Sequence, residues 1–116
     1  MEKALQPQKV LHIIPGHAPF ECYMFLDLDT LQKFVGGFIE TVTLDDNTVL
    51  ICNEDGKYRG LEPNFVIDYG QYGCDIIVGP AIVCGYKGDS FVGIDAGKKE
   101  KAVETLTNMN KIEVKR

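Results

Sequence analysis

Apolar and β-branched residues fall in short runs separated by Gly, Pro, Asp and Asn. This is the rhythm of strands and tight turns, broken by two stretches of helical spacing. Residues 9–14 (KVLHII) predict a first strand, the run Pro15-Gly16-His17-Ala18-Pro19 a turn, and residues 20–26 (FECYMFL) a second strand paired to the first as a hairpin. Asp27 or Asp29 can then cap a helix, with Leu28, Leu31, Phe34 and Val35 on one face and Gly36-Gly37 at its end, where a left-handed residue closes the last turn. About two turns long, that helix depends on tertiary packing.

Residues 38–44 (FIETVTL) alternate: Phe38, Glu40, Val42 and Leu44 share one side and Ile39, Thr41 and Thr43 the other. After a turn at Asp45-Asp46-Asn47, residues 48–53 (TVLICN) read as a continuous, interior strand. Asp55-Gly56 marks a turn, and residues 60–64 read as irregular because Pro63 cannot sit inside a regular ladder. The Gly and Tyr residues of 69–74 suggest an exposed loop, and residues 75–85 (DIIVGPAIVCG) a strand kinked at Gly79-Pro80. A short strand is expected at 91–94. Asp95 should cap a second helix reaching about residue 108, with Ala102, Val103 and Leu106 as its apolar face. The order is ββαββ(β)βα. Short connections imply an α+β fold, a mainly antiparallel sheet with the two helices packed on one face.

The length, 116 residues, fits a single domain over 9–110, preceded by a polar lead-in (1–8) and followed by a charged tail (111–116). An apolar share of 45% is enough for a core without metals or disulfides. The net charge of -5 argues against general nucleic-acid binding, which needs clustered Lys and Arg. No run approaches the ~20 apolar residues of a membrane helix. No secretory signal is evident, so the expected location is the cytoplasm, with Cys22, Cys52, Cys74 and Cys84 reduced.

Three segments, LQKFVGGFIE (31–40), VLICNEDGKYRGLEPN (49–64) and DIIVGPAIVCG (75–85), together resemble the domain-of-unknown-function family 3846. The resemblance spans roughly residues 8–94. It implies a setting on phages, plasmids and integrated elements of bacteria, and brings no activity, catalytic residue or cofactor with it.

No catalytic grouping stands out. His12, His17 and Cys22 lie five residues apart and the other cysteines are scattered, without the paired ligands of a zinc site, so no metal is expected. Cys52 and Cys84 sit in apolar runs, unsuited to a reactive thiolate. Asp27, Asp29, Asp45, Asp46, Glu54 and Asp55 are accounted for by caps and turns, and neither glycine-rich phosphate motif occurs. The richest remainder is a polar loop group, Asn53, Lys57, Tyr58, Arg59 and Asn64, with Tyr69 and Tyr72 in a second loop. Tyr and Arg can stack on a planar ring and clamp an anion.

The expectation is therefore a non-enzymatic binding protein, without cofactor, that self-associates. As an anti-defence factor it would hold a small signalling nucleotide in a pocket lined by Tyr58, Arg59, Asn64 and Tyr72. The alternative is an inhibitor or adaptor that meets a host protein through a sheet edge.

Overall fold

The computed structural model describes residues 6–68 and 70–110. Tyr69, the tail at 111–116 and most of the lead-in at 1–8 lie outside the described residues.

The first hairpin forms as the pattern predicts. Strands β1 (Gln8–Ile13) and β2 (Phe20–Met24) pair antiparallel in unbroken register, with Val10 opposite Cys22 and His12 opposite Phe20. Helix α1 (Leu28–Val35) begins at Asp27, whose carboxylate accepts hydrogen bonds from the Thr30 amide and hydroxyl. Those bonds hold the Asp27 carboxyl below its ordinary pKa. The helix ends at Gly36 with φ +83°, the left-handed cap its sequence calls for.

Strands β3 (Ile39–Asp45) and β4 (Thr48–Asn53) form a second hairpin, with a register shift between Thr43 and Asp45. All six residues of β4 are buried, as expected of an interior strand. The segment at 75–85 is two strands in two different sheets: β6 (Cys74–Val78) pairs with β5 (Pro63–Asp68), and β7 (Ala81–Lys87) enters the main sheet. What reads as a kink is a change of sheet, made possible by Gly79 at φ +75°. Residues 60–62 are irregular as expected, but strand β5 begins within the region, at Pro63. This first position needs no donor. A short 3-10 turn, Gly70–Tyr72, follows.

Among the described residues the main sheet runs β2-β1-β7-β4-β3, with β8 (Ser90–Val92) also paired to β7, and every pairing is antiparallel. Helix α2 (Ala96–Asn110) completes an α+β fold. Its start is capped by Asp95, which accepts from the Lys98 amide at 2.8 Å.

The two helices lie on opposite faces, contrary to the single helical face expected from sequence. Leu31 of α1 packs with Val10, Val49, Ile51, Ile82 and Cys84. Ala102 of α2 packs with Leu11, Leu50, Cys52 and Val83, together with Ile77 of β6. Consecutive strand residues point to opposite sides, so two separate cores require a sheet covered on both. The unbroken apolar runs of β4 and β7 carry that information: a strand wet on one face would alternate. No helix among the described residues is long and apolar enough to cross a membrane.

Candidate functional site

The loop between β4 and β5 is held by side chains that a binding reading would place in a pocket. Asn53, buried at the end of β4, donates to the Val35 carbonyl at 2.9 Å and accepts from the Asp55 amide at 2.7 Å. Its amide thus satisfies a carbonyl of the last turn of α1 and shapes the turn that follows. Arg59 donates to the Gly36 carbonyl at 2.7 Å, bringing a cation to the negative end of the same helix. Asn64 donates to two carbonyls, Ile13 at 2.9 Å and Gly79 at 2.8 Å, tying the start of β5 to the end of β1 and to the turn between β6 and β7.

Of the four predicted ligand residues, Arg59 and Asn64 are therefore engaged by the protein's own backbone. Tyr58 and Tyr72 are free at the surface, 93% and 82% exposed. Among the described residues no hydrogen bond or ring contact joins the four into one pocket.

Tyr58 lies at the rim of a cavity of about 250 Å³ between β6 and the ends of β3 and β4. Glu40, Glu54 and Asp75 line it, with Lys57 bonded to Asp75. That hydrogen bond raises the Lys57 pKa. The Cys52 thiol in the same wall is pushed up to about 11, first by burial and then by the Glu40 and Asp75 charges. Three carboxylates against one paired ammonium make this cavity electronegative, hence more suited to a cationic or neutral polar group than to a phosphate.

The second feature is a sheet edge. Among the described residues β2 and β3 each pair on one side only. Edge β3 is broken by its register shift and exposes Glu40, Thr41 and Thr43, features that discourage a further strand. Edge β2 is regular, and exposed apolar side chains follow along it: Phe20, Tyr23, then Phe25 and Leu28 just beyond its end. Tyr23 is 66% exposed.

The third feature lies on the α1 side of β2. His12 Nε2 is 3.3 Å from Met24 Sδ and 3.5 Å from Cys22 Sγ. The imidazole is flanked by the rings of Phe34, at 4.4 Å between centroids, and Phe20, at 5.5 Å. Partial burial lowers the His12 pKa and favours the neutral ring. Sequence spacing sets His12, His17 and Cys22 at intervals of five without suggesting a site, and gives Met24 no place beside them. The missing signal was strand alternation, which puts Cys22 and Met24 on one side of a hairpin that also carries His12.

Neither the curated proteins nor the solved structures include a match to this chain. Residues 8–107 match the family described as "Domain of unknown function (DUF3846)", and with most of its length matched the chain belongs to that family.

Proposed function

We propose that the protein is a non-enzymatic binding module that takes an extended segment of a partner protein along the open edge of β2. The observation that carries this reading is the contrast between β2 and β3, the two end strands of the β2-β1-β7-β4-β3 order. Edge β3 has a register shift and polar side chains, whereas β2 offers, among the described residues, a regular row of unpaired backbone groups beside Phe20, Tyr23, Phe25 and Leu28. An added strand gains affinity from main-chain hydrogen bonds and selectivity from alternate side chains. The net charge of -5 favours encounter with a basic segment. In the mobile-element setting implied by the family resemblance, the partner is a host protein and the effect inhibition or adaptation.

A photo-crosslinking residue at position 23, with a control at position 58, tests this in host lysate. The expected result is a crosslink from position 23 to one host protein, localised to an extended basic-apolar segment. A synthetic peptide of that segment should bind the wild type and fail with Tyr23→Lys. Crosslinks confined to a second copy of the chain, or equal capture from position 58, would overturn the reading.

Sequestration of a small nucleotide is the second reading, supported by the exposed Tyr58 ring beside Lys57. It ranks lower because Glu40, Glu54 and Asp75 share that cavity. Calorimetric titration with a panel of linear and cyclic nucleotides tests it. Heat that disappears in Tyr58→Ala would reverse the ranking.

A further inference from the structure

We propose that His12, Cys22 and Met24 form a binding site for a soft monovalent metal ion, cuprous copper. The two sulfurs lie 3.3 and 3.5 Å from the same imidazole nitrogen. A metal at 2.0–2.1 Å from an imidazole nitrogen and ~2.3 Å from a sulfur separates the two donors by about 3.5 Å at a tetrahedral angle. Each sulfur is thus already spaced from the imidazole nitrogen as a co-ligand would be.

Before metal binds, an Nε2–H directed at Met24 Sδ and a Cys22 thiol directed at the Tyr23 carbonyl, 3.6 Å away, satisfy the donors. Metal binding would displace both protons and take up the freed lone pairs. Three lone-pair donors converge here, and a cation engages all of them together.

Donor chemistry selects the metal. Thiolate and thioether are soft ligands that favour Cu(I), whereas carboxylate and water favour hard cations. Among the described residues no group of three or more His, Cys, Asp and Glu is arranged to hold a metal, so no harder site competes nearby. A His–Cys–Met set falls outside such groupings because Met contributes the third ligand.

The surroundings fit as well. The rings of Phe20 and Phe34 border the imidazole and limit water around the donors. His12, Cys22 and Met24 are each only half-buried, which leaves a path for entry. The strand pairing that positions the donors is continuous from Gln8 opposite Met24 to His12 opposite Phe20. The site is therefore built by the fold before any metal arrives.

The exposed Cys74 is the obvious competitor for copper, and the test separates the two. Reduced, full-length protein competes anaerobically for Cu(I), kept reduced by ascorbate, against the chromophoric chelator bicinchoninate. Wild type and Cys74→Ser should each withdraw one equivalent. Cys22→Ser should weaken uptake by more than roughly 100-fold, beyond what losing an outer-shell partner costs, and Met24→Leu by at least about tenfold. Circular dichroism confirms that both variants are folded. X-ray absorption of the loaded protein should show one nitrogen and two sulfur neighbours. Failure of the wild type to compete, uptake that vanishes with Cys74→Ser, or full uptake by Cys22→Ser would each overturn the proposal. The readout needs no protein partner, so it stands or falls apart from the edge-binding reading.

Discussion

Asn64 offers a direct test of whether the polar loop residues hold a ligand or hold the fold. Its amide donates one hydrogen to Ile13 and the other to Gly79. Asn64→Ala leaves both carbonyls without that partner, and each such bond contributes a net ~0.5–1.5 kcal/mol. The expected loss is about 1–3 kcal/mol, water replacing part of it because the site is only half-buried. For a domain near this size that lowers the melting temperature by roughly 4–15 °C. The urea midpoint should fall while the slope stays constant, marking a loss of stability without a change in the surface exposed. Asn64→Asp is the sharper variant. It keeps the shape but sets a carboxylate against two carbonyl oxygens, so at neutral pH it should be less stable than Asn64→Ala. The gap should narrow as acid protonates the new carboxyl. Wild-type stability in both variants, with a changed response to a small ligand, would refute the structural role.

Leu31 is the fully buried anchor of α1, and Leu31→Ala should cost about 2–5 kcal/mol in urea unfolding; a loss under about 0.5 kcal/mol would mean that α1 is not docked as described. Burial pushes the Cys52 thiol up to about 11 and the Cys84 thiol up to about 12, so native protein at pH 8 should alkylate at exposed Cys74 first, and at Cys52 and Cys84 only after denaturation. Mass-spectrometric mapping checks this, and rapid native labelling of Cys84 would count against a closed core. Burial lowers the His12 pKa below its ordinary 6.5, so the unfolded chain binds that proton more readily. This contribution to stability is present above about pH 6.5 and is lost as the pH falls through the folded value. Urea midpoints between pH 5 and 7.5 should vary less in His12→Gln than in wild type, and equal slopes would exclude the linkage.

Much of the scaffold is legible in local sequence because its determinants are local. Asp27 and Gly36 bracket α1 through contacts within one turn, and Asp95 starts α2 in the same way. The alternation of 38–44 assigns Val42 and Leu44 to one core and Ile39 to the other, as found. The side of the sheet on which each helix lands is a matter of crossover geometry, which no short window contains. Yet β4 and β7 are apolar at consecutive positions, and that alone demands cover on both faces. Pro63 lacks a donor and so argues against a strand interior, yet it is compatible with a strand's first residue, which is where β5 begins; the sheet change at Gly79 likewise has the local sequence of a kink.

The candidate sites divide along the same line. Arg59 and Asn64 have the composition of a binding loop, but their partners lie 23 and up to 51 residues away in sequence. Polar side chains beside a helix end or a strand end are used here by unpaired backbone groups, which compete with any ligand for them. That competition applies to Asn53 as well, whose amide is divided between α1 and the adjacent turn. The groups that escape it are those a regular strand displays: Tyr23 outward along an open edge, and Cys22 and Met24 toward His12. Neither set looks polar or catalytic in sequence, because one is aromatic surface and the other reads as core. Both are carried by β2, a strand that among the described residues is paired on one side only. On the proposed reading, Tyr23 and the His12–Cys22–Met24 cluster are therefore the positions of this chain at which substitution should change binding, ahead of the polar loops.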